Sequence, residues 1–267
     1  MLIINWNEFL QPYEQVVAEI KLKLENVAAQ YEIAHKHCPI EQIDGRVKSV
    51  SSILEKANRK GVPLEELGNK IEDIAGIRII CRFVEDIEKI VDMIREREGF
   101  DMKIVAERDY INNTKASGYR SFHLIVEYPI VTFRGREDLK AEIQIRTMSM
   151  NFWATIEHSM RYKYNGNIPE HVQERLISSA EAAFQLDREM SNIRDEIMEA
   201  QKITLIINST VNEILSNLQK LYNLAEMEKV NELNREFIET YQLNDVDKLL
   251  TFREKVKVMA DIYKVRY

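Results

Sequence analysis

The sequence predicts an α/β (α+β) protein: a mixed sheet of four to five strands flanked by helices, followed by a long helical C-terminal part. Three observations carry this expectation. All eight glycines lie between Gly45 and Gly166 and all five prolines between Pro12 and Pro169, so the last 98 residues hold neither strong turn-maker. Apolar residues recur at helical spacing near the N-terminus. Short β-branched, alternating runs fill the middle.

Taken in order, Trp6, Phe9, Leu10, Tyr13, Val16, Val17, Ile20, Leu24, Val27 and Tyr31 mark a long amphipathic helix. Gly45 reads as a turn, and a second helix is expected over Lys48 to Lys60. The runs AGIRIICRF, MKIVAERDYI, SFHLIVEYP and LKAEIQIRT read as strands, each bounded by Gly, Pro, Asp or Asn, with a helix over Glu85 to Arg97 between the first two. Asn151 to Lys163 is the next expected helix. Val172, Leu176, Ala180, Ala183, Phe184, Met190, Ile193 and Ile197 mark a long one after it, and three more helical stretches follow residue 203. The expected division is a domain over residues 1–200 and a helical extension over 201–267.

The composition bounds the function. The chain has 267 residues, 45% of them hydrophobic and 30% charged, as in ordinary soluble globular proteins. A formal charge of -7 gives no global positive field, so there is no strong nucleic-acid signal and any anion site must be a local basic cluster. No apolar run approaches the ~18 residues of a membrane span. The start, MLIINWNEFLQPYEQ, lacks a basic segment followed by an apolar one, so no signal peptide is expected. Cys38 and Cys81 cannot make a disulfide framework, and the chain reads as cytoplasmic.

Four segments break the rules of a plain core. From Arg46 to Lys60 five cations face one anion, and Lys48, Ser52 and Lys56 recur every four residues, which suits a polyphosphate or simply a solvated basic face. In DIAGIRIIC, Arg78 sits within an apolar strand, which is costly unless an anion or an aromatic plane receives it. Asp73 at the strand entrance could be a turn residue. In KASGYRSFH, Tyr119, Ser121 and His123 alternate; Tyr119 offers a flat surface for a base, with Lys115, Arg120 and His123 as donors, or is a core tyrosine beside a hairpin turn. In EIQIRT, Glu142, Gln144 and Arg146 share one face, which signals a wet cleft in a central strand or an amphipathic edge strand.

Other chemistries lack their patterns. There is no GxxxxGK[ST] loop and no GxGxxG. His35, His37 and Cys38 have no fourth ligand at a familiar spacing and read as surface residues near a helix end. Cys81 lies in an apolar run and reads as a core thiol.

GRVKSVSSILEK, DIAGIRI, KASGYRSFH, EIQIRT and NFWATIEHSMRYKY, in that order, resemble the synthetase domain of the RelA/SpoT family, and more closely its small stand-alone alarmone synthetases. The resemblance runs from about Trp6 to Ala200. No His-Asp dipeptide is present, so the family's hydrolase signature is absent. The resemblance implies a nucleotidyltransferase-like fold and transfer of the β,γ-pyrophosphate of ATP to the 3′-hydroxyl of GTP or GDP, releasing AMP. It implies that Arg46 and Arg78 sandwich adenine and that Lys48, Ser52, Lys56 and Arg59 hold the ATP phosphates. Asp73 and Glu142 would bind Mg²⁺. Tyr119 would stack on guanine and Asn151 read its edge, with Arg120 and Gln144 in the same GTP/GDP site. Lys115 and His123 would lie near the acceptor phosphates and the transferred group, and Asp73, Glu142 and His123 would be catalytic. Relatives of this kind form homotetramers through terminal helices. Some are activated by their product, bound in a central cleft by an aromatic residue and a threonine where this chain has Gln42 and Asp44.

Two rival readings differ in class. A non-catalytic alarmone-binding regulator would lack metal ligands, whereas Asp73 and Glu142 are both present. Transfer onto the 3′ end of tRNA needs a basic surface, which the acidic stretch MEKVNELNREFIETYQLNDVD does not offer, although Lys and Arg recur near residues 253–266.

Overall fold

In the computed structural model, residues 5–163 and 168–266 are described. Asn5 caps helix α1 (Trp6–Ile33), its side chain accepting from the Glu8 amide, and Tyr13, Val16, Val17, Ile20 and Leu24 form the buried stripe expected from their spacing. Next comes a strand, β1 (Gln42–Val47), where the sequence suggested only a turn at Gly45. This segment is short and only Ile43 is buried, so it carries no apolar alternation to read. Gly45 serves close approach instead of a turn: a Cβ there would lie 2.5 Å from Val17 Cγ1 of α1.

Helix α2 (Val50–Lys60) begins two residues later than expected. Ser49 is its N-cap, accepting from the Ser52 amide, and Gly61 ends it in the left-handed conformation at φ 63°. Lys48 therefore lies outside the helix and does not share its face with Ser52 and Lys56. A 3₁₀ turn (Leu64–Glu66) and a short helix α3 (Leu67–Lys70) lead into β2 (Ala75–Cys81), followed by α4 (Val84–Arg95). Three strands complete the sheet: β3 (Lys103–Asp109), β4 (Phe122–Thr132) and β5 (Gly135–Thr147).

The sheet order is β1-β2-β5-β4-β3, with β2 and β5 parallel and every other pair antiparallel. The register puts Gly45, Ile77, Ile143 and Leu124 in one row across four strands. The approach of Gly45 to Val17 shows that α1 covers the face carrying this row. Ile77, Ile79, Leu124, Ile143 and Ile145 are essentially inaccessible there, each such side chain contributing about 1.5–3 kcal/mol of burial. The opposite face carries most of the polar side chains of the central strands, together with the buried Ile80 and Ile125.

Helices α5 (Met148–Lys163) and α6 (Glu170–Leu224) follow, then α7 (Met227–Gln242) and α8 (Val246–Arg266). No break occurs near residue 203: α6 runs 55 residues without the glycine or proline that would stop it. The chain divides into two compact units, residues 1–191 and 192–267. The second has its own core, in which Ile214, Leu218 and Leu221 of α6 pack with Val230 and Leu233 of α7 and with Leu249, Phe252 and Val256 of α8. Among the described residues no helix is long and apolar enough to cross a membrane.

Candidate active site

β5 is the middle strand of five, so its polar row stands at the centre of the sheet, which removes the edge-strand alternative. The register aligns Arg46, Gly76 and Glu142 in one row, and Asp44, Arg78, Gln144 and His123 in the next. These side chains rise from the face opposite α1, because alternate residues of a strand point to opposite sides. Gly76 has no side chain to fill the space between Arg46 and Glu142. The result is a cleft lined by Asp44, Arg46, Asp73, Arg78, Glu142 and Gln144.

Two carboxylates face this cleft in different company. Lys48 Nζ and Lys56 Nζ lie 2.7 and 2.8 Å from Asp73 Oδ2. Burial pushes Asp73 up, but the two lysines hold it below the usual carboxylate range. Lys48 reaches it from outside α2 because its amide bonds the Ile74 carbonyl at 2.8 Å, pinning it beside the entrance to β2. Asp73 Oδ1 is buried with no hydrogen-bond partner. Glu142 accepts from His123 Nδ1 at 3.0 Å and from Gln144 Nε2 at 2.6 Å. Burial raises it, the hydrogen bonds from His123 and Gln144 and the attraction of His123 together bring it below the usual carboxylate range, and the charge of Asp73 opposes them.

Arg78 stands between other cations. Its Nε is buried without a partner, and burial followed by the charges of Arg146 and Arg46 holds it below the ordinary arginine value. A guanidinium so placed favours an anion or a flat ring over water. Arg46 and Arg59 are exposed, and Ser52 is half-buried with its hydroxyl 2.9 Å from that of Ser49.

The acceptor-side residues are distributed less evenly. Tyr119 Oη lies 2.8 Å from His123 Nε2, and Lys115 Nζ sits 4.7 Å over the Tyr119 ring and 4.1 Å over that of Tyr110. Burial lowers the Lys115 pKa, against the charge of Glu142. Arg120 does not join them. It turns to α6, bonding Glu181 at 2.7 Å and stacking 4.4 Å over Phe184, and is not brought together with the other residues expected to meet the acceptor. The carboxylate and the ring that receive it come from 61 and 64 residues along the chain, which strand alternation does not reveal. Asn151 lines a neighbouring hollow with Gln42, Ile80, Met148 and Phe152, its Oδ1 buried and unpartnered. Arg146, which strand alternation marked only as part of the polar row, is buried among Tyr119, Ser121 and Gln144.

The remaining candidates behave as structural residues. His35 and His37 are exposed after α1, His37 pairing with Asp86 at 3.3 Å. Among the described residues no three His, Cys, Asp or Glu side chains converge to hold a metal by themselves. Cys81 is buried, its Sγ donating to the carbonyls of Phe83 and Arg146 at 3.3 Å, and burial pushes the thiol far up.

Residues 45–167 match the region found in RelA / SpoT proteins. The chain is 54% identical over 197 residues to the GTP pyrophosphokinase YjbM of Bacillus subtilis (strain 168), covering 74% of this chain and 92% of that protein. It is 40% identical over 195 residues to the GTP pyrophosphokinase YwaC of the same organism, covering 72% and 92%. Among solved structures, the small alarmone synthetase 1 of Bacillus subtilis bound to its product pppGpp superposes with a TM-score of 0.69 at 53% identity, covering 72% of this chain and 97% of that one.

Proposed function

The chain belongs to the RelA/SpoT family, as a small alarmone synthetase, and from that premise we propose that the cleft transfers the β,γ-pyrophosphate of ATP to the 3′-hydroxyl of GTP or GDP. The observation that carries this reading is the convergence of two carboxylates, Asp73 and Glu142, with the cations Lys48, Lys56, Arg46 and Arg78 on one polar face of the sheet. Transfer of this kind depends mainly on positioning and on neutralising charge at non-bridging phosphate oxygens.

Mg²⁺ fits the donor set. Asp73 Oδ1 is a buried oxygen with no partner, and the charge of Asp73 reaches Glu142. Two carboxylates suffice for an ion that takes its other ligands from phosphates and water. When bound, Mg²⁺ supplies Lewis-acid stabilisation of the ATP phosphates.

The chain's own groups divide the remaining work. Arg46 and Arg78 receive adenine between guanidinium planes. Lys48 and Lys56 turn from Asp73 to the phosphates, with Ser52 and Arg59 beside them. The guanine stacks on Tyr119 as Lys115 moves to the acceptor phosphates, and Gln144 and Asn151 supply its polar contacts. His123 faces the transferred group. The 3′-oxygen attacks the β-phosphorus, the bond from that phosphorus to the oxygen of the α-phosphate breaks, AMP leaves, and the hydroxyl proton passes to Glu142.

The reading extends to a homotetramer in a cytoplasmic setting. Exposed Phe152, Met160 and Ile177 on α5 and α6 offer apolar surface for assembly, and the two cysteines are free. Purified protein incubated with ATP labelled in its β- and γ-phosphates, plus GTP, GDP or tRNA, tests the function. Label recovered on the 3′ position of the guanine nucleotide with stoichiometric AMP is expected. Label on tRNA, or nucleotide binding without turnover, would overturn the reading.

A further inference from the structure

Arg146 is 5% exposed and carries a full charge, yet no carboxylate pairs with it among the described residues. Burying an unpaired guanidinium destabilises a fold unless its donors are fully used, so its retention asks for another reason. Its donors go to neutral groups: Nη2 to Tyr119 Oη at 2.5 Å and to Gln144 Oε1 at 2.7 Å, and Nε to Ser121 Oγ at 3.3 Å.

These contacts close a ring. From Arg146 one arm passes through Tyr119 Oη to His123 Nε2 at 2.8 Å, and from His123 Nδ1 to Glu142 Oε1 at 3.0 Å. The other arm passes through Gln144, whose Nε2 donates to Glu142 Oε2 at 2.6 Å. Arginine can only donate and an ionised carboxylate can only accept, so Tyr119 and Gln144 accept from Arg146 while His123 Nδ1 and Gln144 Nε2 donate to Glu142. In the neutral imidazole, the hydrogen that donates to Glu142 sits on Nδ1, and Nε2 is left to accept from the Tyr119 hydroxyl. Gln144 must turn its oxygen to Arg146 and its amide hydrogens to Glu142. Both oxygens of Glu142 are thus held by donors whose orientation Arg146 dictates.

We propose that Arg146 is a positioning residue of the transfer reaction: it orients the two donors that aim Glu142, and links that carboxylate to the ring on which the acceptor base stacks. This rests on the function proposed above. It assigns Tyr119 two separable tasks, one performed by its ring and one by its hydroxyl.

The test is a double-mutant cycle between Tyr119→Phe and Arg146→Met, each assayed for kcat and for KM of both nucleotides, with Tm recorded. Tyr119→Phe keeps the aromatic surface and removes only the link. Each single change is expected to lower kcat by about 10–100-fold, the usual effect of removing an outer-shell partner, while KM for ATP stays unchanged. KM for the guanine nucleotide stays near wild type in Tyr119→Phe. The double variant should be no slower than the slower single variant, because one broken ring cannot break twice. Multiplied losses in kcat, or an unchanged kcat in a folded Tyr119→Phe, would overturn the proposal. Should Arg146→Met fail to fold, Arg146→Lys takes its place in the cycle. A second readout needs no turnover: the Nδ1 hydrogen of His123 should be visible by NMR as a slowly exchanging resonance in the unmodified protein and lost in Tyr119→Phe. Equal protection in both would sink the inference. A protected resonance in a chain without transferase activity would refute the function and leave the ring intact.

Discussion

Asp73 presents its two oxygens to different surroundings, one to Lys48 and Lys56 and the other, buried, to no donor. An amide at this position keeps the shape and loses the charge that a divalent cation requires. Asp73→Asn and Glu142→Gln are each expected to abolish synthesis while leaving a folded protein. Retention of more than about a tenth of wild-type turnover at saturating Mg²⁺, roughly 1.4 kcal/mol of barrier, would contradict the metal assignment. The two bases are separated in the same way. Tyr119→Ala should weaken GTP and GDP use far more than ATP use, since a stacked base contributes ~1–3 kcal/mol. Arg46→Ala should do the reverse. Equal changes of both Michaelis constants in both variants would show a single shared base site. At this scale the chemistry of each residue was legible, because Arg78 in an apolar strand and the row Glu142, Gln144, Arg146 violate burial rules that any sequence exposes. Partner choice was not legible. Arg120 and Arg146 lie on either side of the same turn-and-strand region, and only contacts made far along the chain send one to α6 and the other into the cleft.

The elements are held to the site by a few close approaches. α1 lies on the sheet so tightly that β1 tolerates no side chain at Gly45. Gly45→Ala places a methyl group against the stiff, β-branched Val17, and overpacking of this kind costs about 1–3 kcal/mol. The expected result is a lower Tm, and because Arg46 follows directly, a raised KM for ATP with little change in KM for the acceptor. An unchanged Tm would mean that α1 moves aside freely. The helix α2 illustrates how an element boundary redistributes function. Its cap at Ser49 excludes Lys48 from the helix, yet a backbone bond to Ile74 returns Lys48 to Asp73, so the two lysines meet through tertiary contact and not through shared helical spacing.

The molecule as a whole consists of a catalytic unit and a helical one with an independent core. All the residues assigned to the cleft precede residue 192, and the core of the second unit begins at Ile214. Truncation after Ala200 should therefore preserve nucleotide binding and transfer while changing assembly or solubility. Loss of nucleotide binding in a folded, soluble truncation, followed by calorimetry, would show that the helical unit completes the site. Regulation by product is expected to be weak. Gln42 lacks the stacking plane worth ~1–3 kcal/mol per base. Its amide is engaged instead with both oxygens of Asp44, at 3.2 and 3.1 Å, and that carboxylate repels a polyphosphate. Initial rates with and without added pppGpp check this, and a several-fold stimulation at micromolar product would prove it mistaken.

By itself the sequence determined the class of fold, four of the five strands, the basic and acidic groups of the cleft and the family to which they belong. These follow from local periodicity, from turn residues and from charges set in apolar runs, all of which act over a few positions. Only the tertiary structure decided that β5 is central, that β1 exists, that α6 is unbroken, that Lys48 and Lys56 converge on Asp73, and that Arg146 closes a ring around Glu142. Strand order and ion-pair choice are settled by contacts between residues distant along the chain, where burial makes each polar group take whichever partner the packed fold brings within reach.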